Sequence, residues 1–269
     1  MHTTYANHPV YIYTGGRPVD PQLPVALFIH GAGHDHSVWN HQARHLAHHG
    51  HAVLVPDHPG HGASGGAPLA SIEALSDWFV GLLDHLGVEH VALIGHSMGS
   101  LIALHTAAHH PDRVTRLVLV GSVAPMPVAQ PLLDAARDNR AAAHAMINQW
   151  SYAPASQLGA SASPGMSLPN LNLRLLERQA EGVLASDLGA CNAYAGGLDA
   201  ASRVRCPVAM LCGERDQMTP MRAATPLREA LAVAPGGPRI ITIMGSGHAM
   251  MAESPDAVTD AIRGFLAEN

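Results

Sequence analysis

The chain has 269 residues, 47% hydrophobic and 13% charged, enough apolar side chains for a sizeable core and a composition that excludes disorder. Fifteen basic against 21 acidic residues leave a formal charge of −6, which removes the electrostatic case for nucleic acid or an anionic membrane as partner. No apolar stretch is long enough to span a bilayer, Met1–Pro9 lacks the pattern of a signal peptide, and three cysteines without CxxC spacing suit neither a disulfide framework nor a zinc site, so a reducing cytoplasm is expected.

Pro9–Thr14 reads as an early strand bounded by Gly15-Gly16. Val25–His30 is a continuous apolar run of the kind found in parallel sheets covered on both faces. A helix over about 37–49 follows, then a strand over Ala52–Val55. Ser71 caps a helix whose apolar residues recur at helical spacing up to Leu86, and Gly87 ends it. Val91–Ile94 reads as another buried strand, Leu101–Ala108 as a helix, and Arg116–Gly121 as the next strand. Strands at Pro207–Cys212 and Arg239–Ile243 complete the set, with helices near 221–233 and 255–267. This alternation predicts an α/β fold with a doubly wound, mainly parallel sheet.

Residues 122–203 break the rhythm. They contain helix-like pieces around 132–150 and 171–188, joined by an Ala/Ser/Gly/Pro linker over 153–169. The expected organisation is a core made of 1–121 and 204–269, with 122–203 inserted between core strands as a helical cap.

Twenty histidines are an unusual number for this length. On a helix, His41, His45 and His48 or His49 share one face and could grip a metal. No carboxylate or cysteine completes the set at a useful spacing, so solvated histidines and no metal site are expected.

The most informative run is Val91–Ser100, in which a buried strand ends in Gly95-His96-Ser97-Met98-Gly99 and a helix begins. Glycines flank the serine because side chains there would collide with the neighbouring strand or helix. The turn projects the Ser97 hydroxyl outward, and the helix N-terminus favours negative charge beside it.

With this motif stand Ile29-His30-Gly31-Ala32-Gly33, Pro56-Asp57-His58-Pro59-Gly60-His61-Gly62-Ala63-Ser64, Gly213-Glu214-Arg215-Asp216 and Gly247-His248. Together and in this order they resemble the α/β-hydrolase fold superfamily. The resemblance implies that Ser97 is a nucleophile, His248 its base and Asp216 the acid that orients the base. It also implies an oxyanion hole made by the backbone N–H groups of Ala32 and Met98. The chemistry needs these residue types. A serine hydroxyl attacks only when a base takes its proton, an imidazole does so near neutral pH, and a carboxylate fixes its tautomer. Asp57 also follows a strand and is the rival acid. His30, His61 and His96 are expected to be structural, as is Arg215.

The candidate cavity walls are Trp39, Val123, Met126, Met146, Trp150, Met218 and Met250, with Met98, Met166, Met221 and Met251 as further methionines. No Arg or Lys stands at a motif position, so a largely uncharged small molecule is the expected partner, and no cofactor is implied. Serine at 97 argues against the aspartate-nucleophile dehalogenases and epoxide hydrolases of the superfamily. Ala249 after His248, and His34-Asp35-His36 in the first loop, depart from the carbon–carbon bond hydrolases. The expected activity is hydrolysis of a small to medium carboxylic ester, thioester or lactone through an acyl-serine. The alternatives are carbon–carbon cleavage of a β-diketone-like compound and a non-catalytic, ligand-binding member of the fold.

Overall fold

The computed structural model of the protein describes residues 1–161 and 165–268. Strands β1 (His2–Tyr5), β2 (His8–Tyr13), β3 (Val25–Ile29), β4 (Ala52–Pro56), β5 (Val91–His96), β6 (Val114–Val120), β7 (Val208–Gly213) and β8 (Pro238–Ile243) form one sheet. Its order is β1-β2-β4-β3-β5-β6-β7-β8. The first two strands join antiparallel, and every pairing from β4 through β8 is parallel. β1 escapes the sequence reading. It is the outer half of a hairpin whose turn residues Ala6 and Asn7 both take positive φ (50° and 64°), a geometry that matches strand twist.

Alternate residues of each central strand enter opposite cores. Leu27, Ile29, Leu93, Leu117 and Leu119 pack with α2 (Ile72–His85) and α3 (Met98–His109) on one face. Ala26, Phe28, Ile94, Val118 and Val120 pack on the other face, against α1 (Asn40–Ala47) and the C-terminal helix Pro255–Leu266. Both faces are therefore apolar, which is why these strands read as unbroken hydrophobic runs. Ser71 accepts the Ala74 N–H at 3.1 Å and caps α2 as the sequence predicts.

Between β6 and β7, among the described residues, there is no strand. This insert holds α4 (Gln130–Asp138), α5 (Arg140–Ser151), α6 (Pro154–Gln157), α7 (Leu168–Glu177), α8 (Val183–Ala193) and α9 (Gly197–Ala201). The single helix expected over 132–150 is two, because Asn139 leaves the helical conformation and its side chain caps Ala142 N–H. The piece expected over 171–188 also divides, at Gly182 with φ 82°. α6 and the start of α7 fall inside the segment read as linker, of which Ala162, Ser163 and Pro164 lie outside the described residues. Leu132, Ala143, Ile147, Leu176 and Leu188 give the insert a small core of its own.

After β7 come α10 (Thr225–Ala230), α11 (Met250–Glu253) and α12 (Pro255–Leu266). The helix expected over 221–233 is α10 flanked by short 3-10 turns, since Pro226 lacks the N–H that a continuous helix requires. Likewise the helix expected over 37–49 opens with a 3-10 turn at His36–Trp39 before α1. Among the described residues, no helix is long and apolar enough to cross a membrane.

Candidate active site

Ser97 links β5 to α3 with φ 52° and ψ −119°, a conformation that costs a non-glycine residue energy and persists only where its surroundings enforce it. The enforcement is visible in the glycines. A Cβ on Gly95 would lie 2.2 Å from the Gly99 carbonyl oxygen, and one on Gly99 would lie 2.3 Å from that of Ile29. β3, β5 and α3 thus approach so closely that only hydrogen fits at both positions. Ser100 donates its hydroxyl to the Ser97 carbonyl at 2.5 Å and fixes the exit of the turn. Met98 is the first residue of α3, so its N–H has no partner within the helix.

Asp216 follows β7, and His248 lies between β8 and α11. The His248 Nδ1–H donates to Asp216 Oδ2 at 2.8 Å, with both side chains almost wholly buried. The turn-capping role that an aspartate at this place suggests is also filled, by the other oxygen. Oδ1 accepts from Met218 N (2.9 Å) and Thr219 N (2.8 Å), and the Thr219 hydroxyl donates to Oδ2 at 2.7 Å. Burial pushes the Asp216 pKa up, but the His248 imidazole and these donors outweigh it and hold the carboxyl at about 2. The carboxylate is therefore ionised at any working pH, and it leaves His248 Nε2 as the ring nitrogen available for proton transfer.

The remaining histidines of the motifs pack below and beside this pair. His96 Nε2–H donates to the His248 carbonyl at 3.0 Å, and burial holds its pKa well below the ordinary value. His30 stacks on His58 with ring centroids 3.6 Å apart, and burial pushes its pKa down to about 4. These neutral rings support the loops without adding charge. His61 differs. Its Nε2 lies 2.8 Å from Asp187 Oδ2 on α8, and that carboxylate raises its pKa in spite of burial. Asp57, the rival acid, lies elsewhere. It accepts from His36 N (2.7 Å), His36 Nδ1 (2.8 Å) and Ala63 N (2.8 Å) and braces two loops of the core. Arg215 is exposed and faces Glu214 at 3.7 Å.

Ser97, His248, Thr219, Gly31 and Ala32 line one cavity of about 330 Å³ between the sheet edge and the insert. Of the walls expected from sequence, Met126, Trp150 and Met218 line it. Trp39, Val123, Met146 and Met250 do not. Trp39 packs at a tilt against Phe28 in the core and Met250 is buried in the same cluster, Val123 belongs to the core on the α3 face, and Met146 packs against the insert's own core. Met98 and Met251 are also core residues, while Met166 and Met221 are exposed. Sequence reading passes over Leu132, Ile147, Leu188 and Cys191, which supply apolar wall from α4, α5 and α8, and over His34 and Thr219, its polar additions. Helical periodicity could have marked the insert's apolar faces, but nothing local marks which face meets the sheet edge.

The histidines of α1 do not converge on a shared point. His41 meets Thr259 Oγ1 (3.1 Å) and Asp256 (3.3 Å), and His45 stacks on His49. Among the described residues, the group with metal-ligand spacing is Asp35, His36 and Asp57. Its carboxylates already accept N–H and O–H donors from His36, Ser37, Ala63, Arg178 and Gln179, so they hold the loops together as they stand. All three thiols are free and buried, and burial pushes the pKa values of Cys206 and Cys212 up to about 11, which makes them inert.

Comparison with known proteins agrees with this architecture. The solved enol-lactonase of Burkholderia xenovorans LB400 superposes with a TM-score of 0.87 at 21% identity, over 100% of both chains. An uncharacterised protein of Mycobacterium tuberculosis (strain ATCC 25618 / H37Rv) is 30% identical over 266 residues, 90% of this chain and 75% of that one. The sn-1-specific diacylglycerol lipase ABHD11 of Mus musculus is 40% identical over 102 residues, 38% of this chain, and this chain spans only 33% of that relative. The family model described as the alpha/beta hydrolase fold matches residues 24–255. The chain belongs to the α/β-hydrolase fold family.

Proposed function

We infer that the protein is a serine hydrolase that cleaves a small to medium, largely uncharged carboxylic ester, thioester or lactone through an acyl-serine intermediate. The observation that carries this reading is the buried 2.8 Å bond between His248 Nδ1 and Asp216, with His248 lining one cavity beside a serine held at φ 52°.

In this reading Asp216 fixes the Nε2 lone pair of His248 toward the cavity, and Nε2 takes the Ser97 proton as Oγ attacks the carbonyl carbon. The carbonyl π electrons move to oxygen, and the resulting anion lies against the N–H groups of Ala32 and Met98. Collapse of the tetrahedral species expels the alcohol or thiol, which takes the proton back from Nε2. Water, deprotonated by the same nitrogen, then releases the acid and restores Ser97. Aspartate 216 supports the imidazolium throughout without being protonated itself.

Residues 122–203 act as a cap whose helices supply most of the apolar wall, and the lack of a cation among the cavity residues suits an uncharged substrate. Esterase and lactonase names among the similar structures support the same class. The buried thiols suit a reducing cytoplasm.

The test is labelling with a fluorophosphonate followed by peptide mass mapping, together with turnover of a chromogenic short-chain ester. Labelling at Ser97 and loss of at least about 10⁴-fold in kcat for Ser97→Ala, with unchanged melting, are expected. Turnover retained by Ser97→Ala would overturn the reading.

A further inference from the structure

His248 lies on a loop held between the two halves of the molecule. A Cβ on Gly213 would lie 2.3 Å from the Gly247 carbonyl oxygen, so the end of β7 presses on the loop from the core side. A Cβ on Gly247 would lie 2.7 Å from the Ser151 carbonyl oxygen and 2.8 Å from Ala153 N, so the chain leaving α5 presses on it from the insert. Ala249 N also donates to the Ser151 carbonyl at 2.9 Å. One side chain joins loop and insert. Glu253, at the end of α11, accepts from Gly247 N with Oε2 (2.7 Å), and from Ala153 N (2.9 Å) and Ser156 Oγ (2.7 Å) with Oε1. Only a carboxylate accepts at both ends, since an amide has a single acceptor oxygen and would turn its NH₂ toward an N–H donor. Asp35 and Asp187 also join core and insert, but through loops that do not carry His248.

We propose that Glu253 is a positioning residue for the hydrolase reaction, making the place of the His248 ring depend on the seat of the insert over the cavity. The proposal rests on the hydrolase reading above and deepens it. Gly247 is the residue before His248, so a shift of its backbone carries the imidazole with it, whereas Asp216 fixes the Nδ1 end of the ring. Proton transfer between Nε2 and Ser97 Oγ needs the two atoms within hydrogen-bond reach, and a misplacement of about 1 Å costs on the order of 10²-fold in rate. Trp150 and Ser151 line the cavity just before the residues that Glu253 holds. A substrate pressed against that wall therefore bears on the same tie, and the insert does more than supply apolar surface.

The test joins steady-state kinetics on a chromogenic short-chain ester, run well below melting, to proton NMR of the His248 Nδ1–H, identified by its disappearance in His248→Gln. Glu253→Gln should lower kcat by about 10- to 100-fold with KM changed by less than about threefold, and should shift or broaden that resonance. Asp35→Asn loosens the insert at a staple away from His248; it should keep kcat within about twofold of wild type and leave the resonance in place. This difference separates placement of the ring from a general loss of stability. Ser156→Ala removes only a donor on the insert side and should lower kcat by about threefold; it carries the test if Glu253→Gln does not fold. A kcat for Glu253→Gln within about twofold of wild type, or an equal fall in Asp35→Asn, overturns the proposal. An unchanged kcat in Ser156→Ala overturns the dependence on the insert. Fluorophosphonate labelling of the wild type distinguishes the two failures. Labelled Ser97 with full turnover by Glu253→Gln sinks only the role of Glu253. Protein with no reactive Ser97 sinks the hydrolase reading and this inference with it.

Discussion

The sheet edge and the helical insert hold their parts in place by different means. At the sheet edge, backbone proximity decides the geometry: Gly95 and Gly99 let β3, β5 and α3 close on Ser97, and the Asp216 turn is set by N–H groups only two and three residues on. The insert is fastened to the core through carboxylates that reach across long stretches of sequence. Asp35 takes Arg178 and Gln179, Asp187 takes His61 and Gly33, and Glu253 takes Ala153 N and Ser156 Oγ while also accepting from Gly247 beside His248. A side chain changed at the sheet edge should therefore affect chemistry more than stability. One changed at a carboxylate staple should affect stability first and chemistry through it.

The largest effect is expected at Asp216. Asp216→Asn keeps the shape of the turn but places an amide beside His248 Nδ1 and removes the charge that supports an imidazolium. A fall of about 10³- to 10⁴-fold in kcat for a chromogenic ester is expected in steady-state kinetics, much larger than the accompanying loss of about 1–2 kcal/mol in stability from the charge-assisted part of the bonds to Asp216. Activity within tenfold of the wild type would place the orienting acid elsewhere and dissolve the contrast on the core side.

Asp187→Ala probes the other half. Its Oδ2 serves both His61 Nε2 and Gly33 N at 2.8 Å, and all three groups are buried. Removing it leaves the buried His61 Nε2 and the buried Gly33 N–H without their partner, while His61 Nδ1 keeps the Pro59 carbonyl at 3.0 Å, for a loss of about 3 kcal/mol in urea unfolding near pH 6. The sign with pH is distinct. Asp187 raises the His61 pKa, so its contribution is complete below the ordinary histidine value and is lost as pH rises through the raised one. The gap between wild type and variant should narrow on the alkaline side. Gly33 adjoins Ala32, so phosphonate labelling of Ser97 should slow as well. A loss below about 1 kcal/mol would mean that apolar packing alone seats the insert.

This contrast also explains how much could be read from sequence. The strands, their parallel order and the elbow at Ser97 are legible because each depends on residues within a few positions of one another, such as the apolar run Val91–Ile94 and the glycines around Ser97. The cavity walls are not. Trp39 and Met250 have the composition of a wall and are core residues, whereas Leu132 and Leu188 look like ordinary helix interior and line the cavity. What decides their side is the seat of the insert, and that seat depends on pairs such as Asp187 with His61, 126 residues apart. Thr219 carries no motif of its own in the sequence, and its second contact with the Asp216 carboxylate is a matter of rotamer. β1 was missed for a simpler reason, since Ala-Asn is a weak signature for a tight hairpin beside Asn-Gly or Asp-Gly.

The smallest effect, and the one that tests the staples most cleanly, is expected at Asp35. Its carboxylate accepts from Ser37 N (2.9 Å), Ser37 Oγ (2.6 Å) and Gln179 Nε2 (3.2 Å) and pairs with Arg178 of the insert. Burial pushes its pKa up, but the Ser37 donors and Arg178 outweigh burial and hold it at about 2, below the carboxylate value of 3.8. A lowered native pKa means that the folded state favours the charged form. The contribution is therefore complete above about pH 4 and disappears as pH falls toward 2. Asp35→Asn keeps an acceptor for Ser37 but gives up the charge-assisted part of each bond, for a loss of about 1–2 kcal/mol at neutral pH. Unfolding measured from pH 6 downward should show the two proteins converging through this window, while Asp216, held at about 2 in both, keeps a common acid limb beneath them. Parallel curves with no convergence would mean that Asp35 is seated by shape, and the insert would then be held at this corner as the core is, by packing rather than by charge.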